Sequence, residues 1–141
     1  MNKINIKDLD FMEWAPDSEP RLSYSGKPFN GIACNMRPDG TLEYENEYSD
    51  GYREGVQKEF YPDGKVSSIY HRKWSRFHGE ETEWYKNGNI KSKADWQFGH
   101  KLQSQEWSEG GLLISIYDIN KHPKKLEDFE NDKRYFSDVN Q

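Results

Sequence analysis

The sequence predicts an all-β protein in the main: a single antiparallel sheet of successive 24-residue β-hairpin repeats, with a short C-terminal helix. Three observations carry that expectation. Glycines recur on one register, Gly31, Gly55 and Gly79 being spaced by 24, as are Gly40, Gly64 and Gly88; Gly51 and Gly99 stand 48 apart, with Ser75 midway. Larger side chains keep the same register, with Met36, Phe60 and Trp84 in one column, Arg37, Tyr61 and Tyr85 in the next, and Leu42, Val66 and Ile90 in a third. Turn signals repeat as well, as Pro-Asp-Gly at 38–40 and 62–64 and Lys-Asn-Gly at 86–88. Self-similarity at a fixed period of this length marks a stacked-repeat architecture.

Taken in chain order, residues 1–21 read as a cap, with Ile4, Ile6, Leu9 and Phe11 supplying one strand to cover an open sheet edge. The repeat region spans 22–119, and a leading half-unit, Arg21 to Gly31, runs into it. In each unit Pro or Lys, then Asp or Asn, then Gly suits a short hairpin loop closed by a positive φ. The first glycine of each unit is expected to mark the turn between successive hairpins. Alternation in the first unit sets Leu42, Tyr44, Asn46 and Tyr48 on one face and Glu43, Glu45 and Glu47 on the other. The adjacent rings Phe60-Tyr61 and Trp84-Tyr85 fall on opposite faces. The column of Met36, Phe60 and Trp84 is therefore expected to build the core, and Arg37, Tyr61 and Tyr85 to line the other face. A fourth, degenerate unit (QSQEWSEGGLLISIYDI) carries Trp107 displaced by one residue and Gly110-Gly111 near its turn. Residues 120–141 form a C-terminal cap or tail. A helix is expected from near Pro123 with Leu126, Phe129 and Phe136 on its apolar side, then disorder from Ser137.

Composition agrees with one domain. Leu, Ile, Val and Phe number 25 of 141 residues, a poor aliphatic supply, but 5 Trp, 9 Tyr and 7 Phe provide rings, and the net charge is only -5. Ring burial then takes the place of aliphatic burial in offsetting chain entropy. Cys34 is the single cysteine, so an internal disulfide is excluded and a reducing, cytoplasmic setting is expected. No apolar run reaches the length of a membrane-spanning helix, and a soluble chain is the expectation.

The stretch Leu22-Ser-Tyr24-Ser-Gly26-Lys-Pro28-Phe29-Asn-Gly31, followed by the paired large residues, the Asp/Asn-Gly turn and the aliphatic column, resembles the variant MORN repeat of bacterial proteins. The resemblance covers about Leu22 to Tyr117. It implies a curved antiparallel sheet of hairpins, and it implies a function class as well, since short bacterial proteins of this type are commonly antitoxins or immunity proteins that neutralise a cognate toxin. Ser75 and Gln103 depart from the repeat's glycines.

Motifs for catalysis are lacking in the sequence. Every glycine is explained by a turn, neither Gly-x-Ser-x-Gly nor His-Glu-x-x-His occurs, and the four histidines lack a tight ligand spacing, with only His71 and His78 near enough to share a metal across a loop. No catalytic residue, cofactor or metal site is expected. Charge is more informative: 31–55 carries -4 and 56–79 carries +3. Glu43, Glu45 and Glu47 share a strand face, and the matching positions one unit on, Ser67, Ile69 and His71, supply no cation. An uncompensated acidic row would attract a basic partner and would repel nucleic acid. The expectation is thus a non-catalytic protein-binding module whose partner surface comprises Glu43, Glu45, Glu47, Asp50, Arg37, Tyr61 and Tyr85 and meets a toxin with a basic surface. The alternative is a MORN-type scaffold or membrane-peripheral tether using Lys58, Lys65, Arg72, Lys73 and Arg76 on anionic lipid. An acid- and Trp-lined carbohydrate cleft is a third reading. An open-ended sheet also allows a homodimer.

Overall fold

A computed structural model describes residues 3–139. Among them the strands form one large sheet and one small one. The chain runs β1 (Lys3–Asn5), β2 (Asp10–Trp14), β3 (Pro20–Tyr24), β4 (Lys27–Pro28), β5 (Gly31–Met36), β6 (Leu42–Ser49), β7 (Tyr52–Phe60), β8 (Val66–Lys73), β9 (Arg76–Phe77), β10 (Gly79–Trp84), β11 (Ile90–Gln97), β12 (His100–Trp107) and β13 (Leu113–Asp118), then α1 (Pro123–Val139). The large sheet is ordered β1-β5-β6-β7-β8-β10-β11-β12-β13, with β9 paired to β8, and β2-β3-β4 form the small sheet. From β5 onward each strand pairs antiparallel with the next along this order.

Two kinds of turn alternate along the sheet. One edge carries four copies of one hydrogen-bonded loop, in which the N–H of Arg37, Tyr61, Tyr85 and Ser108 donates to the carbonyl of Thr41, Lys65, Asn89 and Leu112. Gly40, Gly64, Gly88 and Gly111 hold the positive φ that each of these loops requires,. Each loop is followed by a bulge at Glu43, Ser67, Lys91 or Ile114, where the ladder skips one residue,. The fourth hairpin is therefore a true member of the array, shifted by one residue as the position of Trp107 suggests.

The opposite edge carries two-residue turns with positive φ at both positions, Asp50-Gly51, Trp74-Ser75 and Phe98-Gly99, matched by Ser25-Gly26 in the leading half-unit. Positive φ at both central residues matches the right-handed twist of a two-residue hairpin. These turns, rather than Gly31, Gly55 and Gly79, connect successive hairpins. Gly31 and Gly79 open strands, and Gly55 lies inside β7 beneath the Glu47 side chain. The expectation for the first glycines is corrected accordingly: their positive φ serves breaks within strands,.

The core does not run down the column of Met36, Phe60 and Trp84. Met36 is 40% exposed and Phe60 and Trp84 are half-buried, because each ends its strand beside a loop, away from the end segments that fold back over the sheet. Apolar burial is found where the end segments fold back. Leu22, Phe29, Ala33 and Tyr48 form one cluster, with Ile4, Ile6 and Leu9 against it. Phe98, Ile119 and Phe129 form the other, joined by Trp74, Leu102, Leu126 and Phe136. Between them the interior is polar. Gln57 is fully buried, donates from Nε2 to the Glu47 carbonyl at 3.0 Å and accepts from Arg53 Nε at 3.0 Å.

The caps differ from expectation in detail. β1 covers the sheet edge by pairing parallel to β5, but Phe11 leaves that strand, lies in β2 and is 55% exposed. The helix starts at Pro123 and keeps Leu126, Phe129 and Phe136 on its buried side. It continues through Ser137 to Val139, where disorder was expected, because Phe136 holds the last turns by stacking on Trp74 and Phe98 at 5.7 and 5.2 Å. Residues 1, 2, 140 and 141 of the expected caps lie outside the described residues.

The two glycine environments separate in a stability measurement. At Gly64 an added Cβ meets nothing within 4 Å, so Gly64→Ala is expected to cost only the positive-φ penalty, about 1–2 kcal/mol,. At Gly51 the same atom would lie 2.5 Å from the Leu22 carbonyl oxygen, and Gly51→Ala is expected to cost clearly more. Urea midpoints of the two variants compare them directly, and equal losses would contradict this account.

Candidate functional site

Side chains on the repeat register tie one hairpin to the next. A strand-end carbonyl beside a turn has no ladder partner and needs a donor. Arg37 Nη2 donates to the Phe60 carbonyl at 2.5 Å, the Tyr61 hydroxyl to the Trp84 carbonyl at 2.6 Å, and the Tyr85 hydroxyl to the Trp107 carbonyl at 2.8 Å. The three residues expected to present a binding face are thus engaged within the sheet, each crossing to the following unit. A second column works at the opposite edge. Asn30 Oδ1, Glu54 Oε1 and His78 Nδ1, spaced by 24, accept the backbone N–H of Asp50, Trp74 and Phe98 at 2.9, 3.4 and 3.1 Å. Three different side chains perform one task there, so residue identity alone did not disclose it.

The acidic row lies on one face of β6 as the alternation implies, but it is not free of cations. Its ladder neighbours are β5 and β7, whereas Ser67, Ile69 and His71 belong to β8, one strand farther away. Lys58 on β7 stands opposite Glu45, and Lys3 on β1 forms an ion pair with Glu45 at 2.9 Å. This hydrogen-bonded pairing raises the Lys3 pKa. Glu43 accepts from Asn35 Nδ2 at 3.2 Å, Glu47 leans over Gly55, and Asp50, on the turn edge, pairs with Arg21 at 2.9 Å. The row is half-buried and partly compensated, chiefly by cations from outside the repeat register or from the skipped strand.

The same face continues into later strands with less compensation. Ladder partners running across it place Glu80 beside Asp95, Asp95 beside Gln103, and Gln103 beside Asp118. These residues, with Thr82 and Lys93, line a depression of about 390 Å³. Gln103 Nε2 donates to Asp95, and the Asp118 carboxylate accepts from the Asn120 N–H at 2.9 Å. No ladder partner along this row carries a positive charge. On the reverse face, Glu81 accepts from Trp96 Nε1 at 3.0 Å, and burial pushes its carboxyl pKa up.

Basic residues 58–76 do not gather into one patch. Arg72 is buried and ion-paired with Asp17 from the loop after β2, and Lys65 and Lys73 flank opposite ends of β8, roughly 25 Å apart at the rise of an extended strand,. Lys73 covers the Trp74 ring and Arg76 the Phe136 ring. His71 and His78 do not face a common point either. The His71 ring lies 2.9 Å from the Glu80 carbonyl, while His78 is committed to Phe98. Cys34 is a half-buried free thiol on β5.

Residues 53–73 and 77–97 each match the MORN repeat variant. These two segments are what the chain shares with that repeat. Both matches lie in the middle of the sheet, and the recurring loops at 37–41 and 108–112 extend the same hairpin geometry on either side of the matched segments. A solved structure described as "accessory secretory protein 1,2 and 3 in Streptococcus pneumoniae" is 14% identical, with a TM-score of 0.38. The match covers 81% of this chain and 19% of that one, so the chain spans under a fifth of that chain's length. None of the curated proteins matches.

Two exposed apolar segments, which the repeat pattern does not disclose as surfaces, lie one on each side of the matched segments. Trp14 is 69% exposed on β2 beside Phe11, and Ile114 and Ile116 are 63% and 66% exposed on β13. The uncharged run from Gly110 to Tyr117 was the available signal for the second.

Two measurements probe the ties. Tyr61→Phe and Tyr85→Phe each remove one part-buried donor and are expected to cost about 1 kcal/mol in urea unfolding, with little change in the sheet's circular dichroism,. His78 accepts through Nδ1, and burial, helped by Lys73, lowers its pKa from 6.5. The unfolded chain then binds the proton more readily than the folded one, so the contribution is full above pH 6.5 and is lost as pH falls toward and through the lowered folded value,. His78→Asn keeps an acceptor without titrating near neutrality. Its unfolding free energy is expected to fall less between pH 7.5 and 5.5, taken as round values on either side of the ordinary histidine range, than that of the parent chain. Parallel curves would refute the assignment.

Proposed function

We propose that the chain is a non-catalytic protein-binding module on a MORN-repeat scaffold and, more narrowly, an immunity protein or antitoxin that neutralises a cognate toxin by direct contact. The observation that carries this reading is the cross-strand acidic row of Glu80, Asp95 and Asp118, on the same face as Glu43, Glu45 and Glu47. Like charges placed side by side across strands destabilise a sheet. A partner that supplies the missing cations recovers that cost on binding, and the field of the row raises its rate of arrival. The depression beside the row gives a basic side chain somewhere to sit, and Glu43 and Glu47 extend the negative surface toward the first unit. In an antitoxin the same arrangement suits a partner whose working cleft is basic. Arg37, Tyr61 and Tyr85 support this surface from within by holding adjacent hairpins in line.

The test is affinity capture from the native host, followed by binding at increasing salt. A basic, toxin-like protein is expected, with affinity falling as salt rises. The double reversals Glu80→Lys/Asp95→Lys and Glu43→Lys/Glu47→Lys are each expected to weaken binding by about tenfold or more, chiefly through slower association for residues at the rim. A captured partner whose binding ignores both salt and charge reversal would place the contact elsewhere; failure to capture any toxin-like protein would remove the antitoxin reading itself.

A further inference from the structure

The two edges of the large sheet are finished differently. At one, β1 lies against β5 and sends Lys3 to Glu45. At the other, β13 has no following strand among the described residues. β13 is the fourth member of a series whose earlier members, β6, β8 and β11, are each followed in the sheet by an antiparallel strand, β7, β10 and β12. It repeats their loop and their bulge, with Ile114 in the place of Glu43, Ser67 and Lys91. It lacks only the next neighbour. The column of side-chain ties also stops here, because Ser108 stands where Arg37, Tyr61 and Tyr85 stand in earlier units, and its Oγ is spent on the Leu112 N–H of its own turn at 3.1 Å.

Edge strands are ordinarily blunted by charge, by proline or by a covering segment. From Gly110 to Tyr117 this edge has neither charge nor proline, and its bulge at Ile114 is of the kind carried by β6, β8 and β11, which pair onward with the next strand just past theirs. Leu112, Leu113, Ile114 and Ile116 are all exposed. We propose that β13 pairs antiparallel with β13 of a second copy, joining two sheets end to end about a two-fold axis near Ser115. The pairing uses the free backbone edge of β13, whereas the acidic row assigned to a toxin lies on a sheet face; the two meet at the end of β13, where Asp118 closes the row and Ile116 and Tyr117 line the depression beside it.

Chemistry selects the occupant. An uncharged, aliphatic edge is matched by an uncharged, aliphatic strand, and β6, β7, β8, β10, β11 and β12 each carry at least two charged side chains, whereas β13 between Leu113 and Tyr117 carries none. The segment Leu113-Ile114-Ser115-Ile116-Tyr117 is also nearly palindromic in chemistry. A two-fold axis through Ser115 sets Ile114 of each copy against Ile116 of the other and Leu113 against Tyr117, which is the self-complementarity that a two-fold interface demands. One added strand is a small interface, so the association is a weak, concentration-dependent one.

Sedimentation or light scattering over roughly 1 to 100 μM tests this, the micromolar range being that of weak complexes. Mass is expected to rise from 16.7 kDa toward twice that value with concentration. Ile114→Lys and Ile116→Lys, at exposed positions that leave the fold intact by circular dichroism, are expected to hold the protein monomeric. Ser115→Cys in a Cys34→Ser background supplies a second readout. Directly opposed strand residues are close enough for a disulfide, so oxidation is expected to give a covalent dimer that Ile116→Lys prevents. A monomer throughout the range with no cross-link overturns the proposal, as does a dimer that survives both lysine substitutions, or a monomer whose β13 is instead occupied by a foreign strand. Toxin capture is read separately and with Ile114→Lys, because Ile116 lines the depression beside the acidic row; loss of toxin binding in Glu80→Lys/Asp95→Lys leaves this pairing unaffected.

Discussion

A sheet whose middle is covered by polar contacts, Asp17 on Arg72 and Glu19 on Arg53, cannot hold its hairpins together by a shared apolar core. The burden falls on hydrogen bonds that cross from one unit to the next, and the most consequential are those donated by Arg37, Tyr61 and Tyr85 to strand-end carbonyls one unit on. They satisfy acceptors that the ladder leaves over, and they set the spacing of adjacent loops. Around them the interior accepts polar side chains: Gln57 is fully buried, and Asn46, Ser68 and Arg72 are buried on the same face. The scarcity of aliphatic residues follows directly. Where burial contributes little, Leu and Ile are not needed, and those the chain has are concentrated in the two end clusters and along β13.

How far the structure was legible in the sequence depends on whether a feature lies within the repeat. The period, the four loops, the alternation in β6 and the displaced fourth unit are local or periodic, and glycine and turn chemistry disclose them. The error over Gly31, Gly55 and Gly79 arose because a glycine that permits a strand bulge and one that closes a turn look alike in sequence; only the paired positive φ at Asp50-Gly51, Trp74-Ser75 and Phe98-Gly99 separates them. A turn containing Trp and Ser, or Phe and Gly, has no compositional signature. The placement of Met36, Phe60 and Trp84 in a core assumed a covering layer that period alone cannot supply.

The candidate site was legible in sign and not in detail. An excess of acid on one sheet face is present, but Lys3 reaches Glu45 through a parallel pairing that no repeat register contains, and Asp17 reaches Arg72 across 55 residues. Such contacts belong to the end segments, whose course is decided by tertiary packing. The row of Glu80, Asp95 and Asp118 could not be seen by comparing equivalent positions of successive units, since its members occupy different columns and meet only across the ladder. The function class likewise depends on a surface assembled from several strands, none of which carries it alone.

The stack of Trp74, Phe98 and Phe136 has a consequence for the order in which the molecule is assembled. Bonds between adjacent hairpins involve segments about one unit apart, so each hairpin can add to its predecessor as the chain emerges, in the manner of a linear array. The helix is different. Its ring must find two turns 62 and 38 residues earlier in the chain, both already formed. Docking of the helix is therefore the late step, carrying the largest loop-closure cost of that end. Until it occurs, the rings of Trp74 and Phe98 remain open to solvent, making this edge the natural point at which a folding chain is recognised as unfinished.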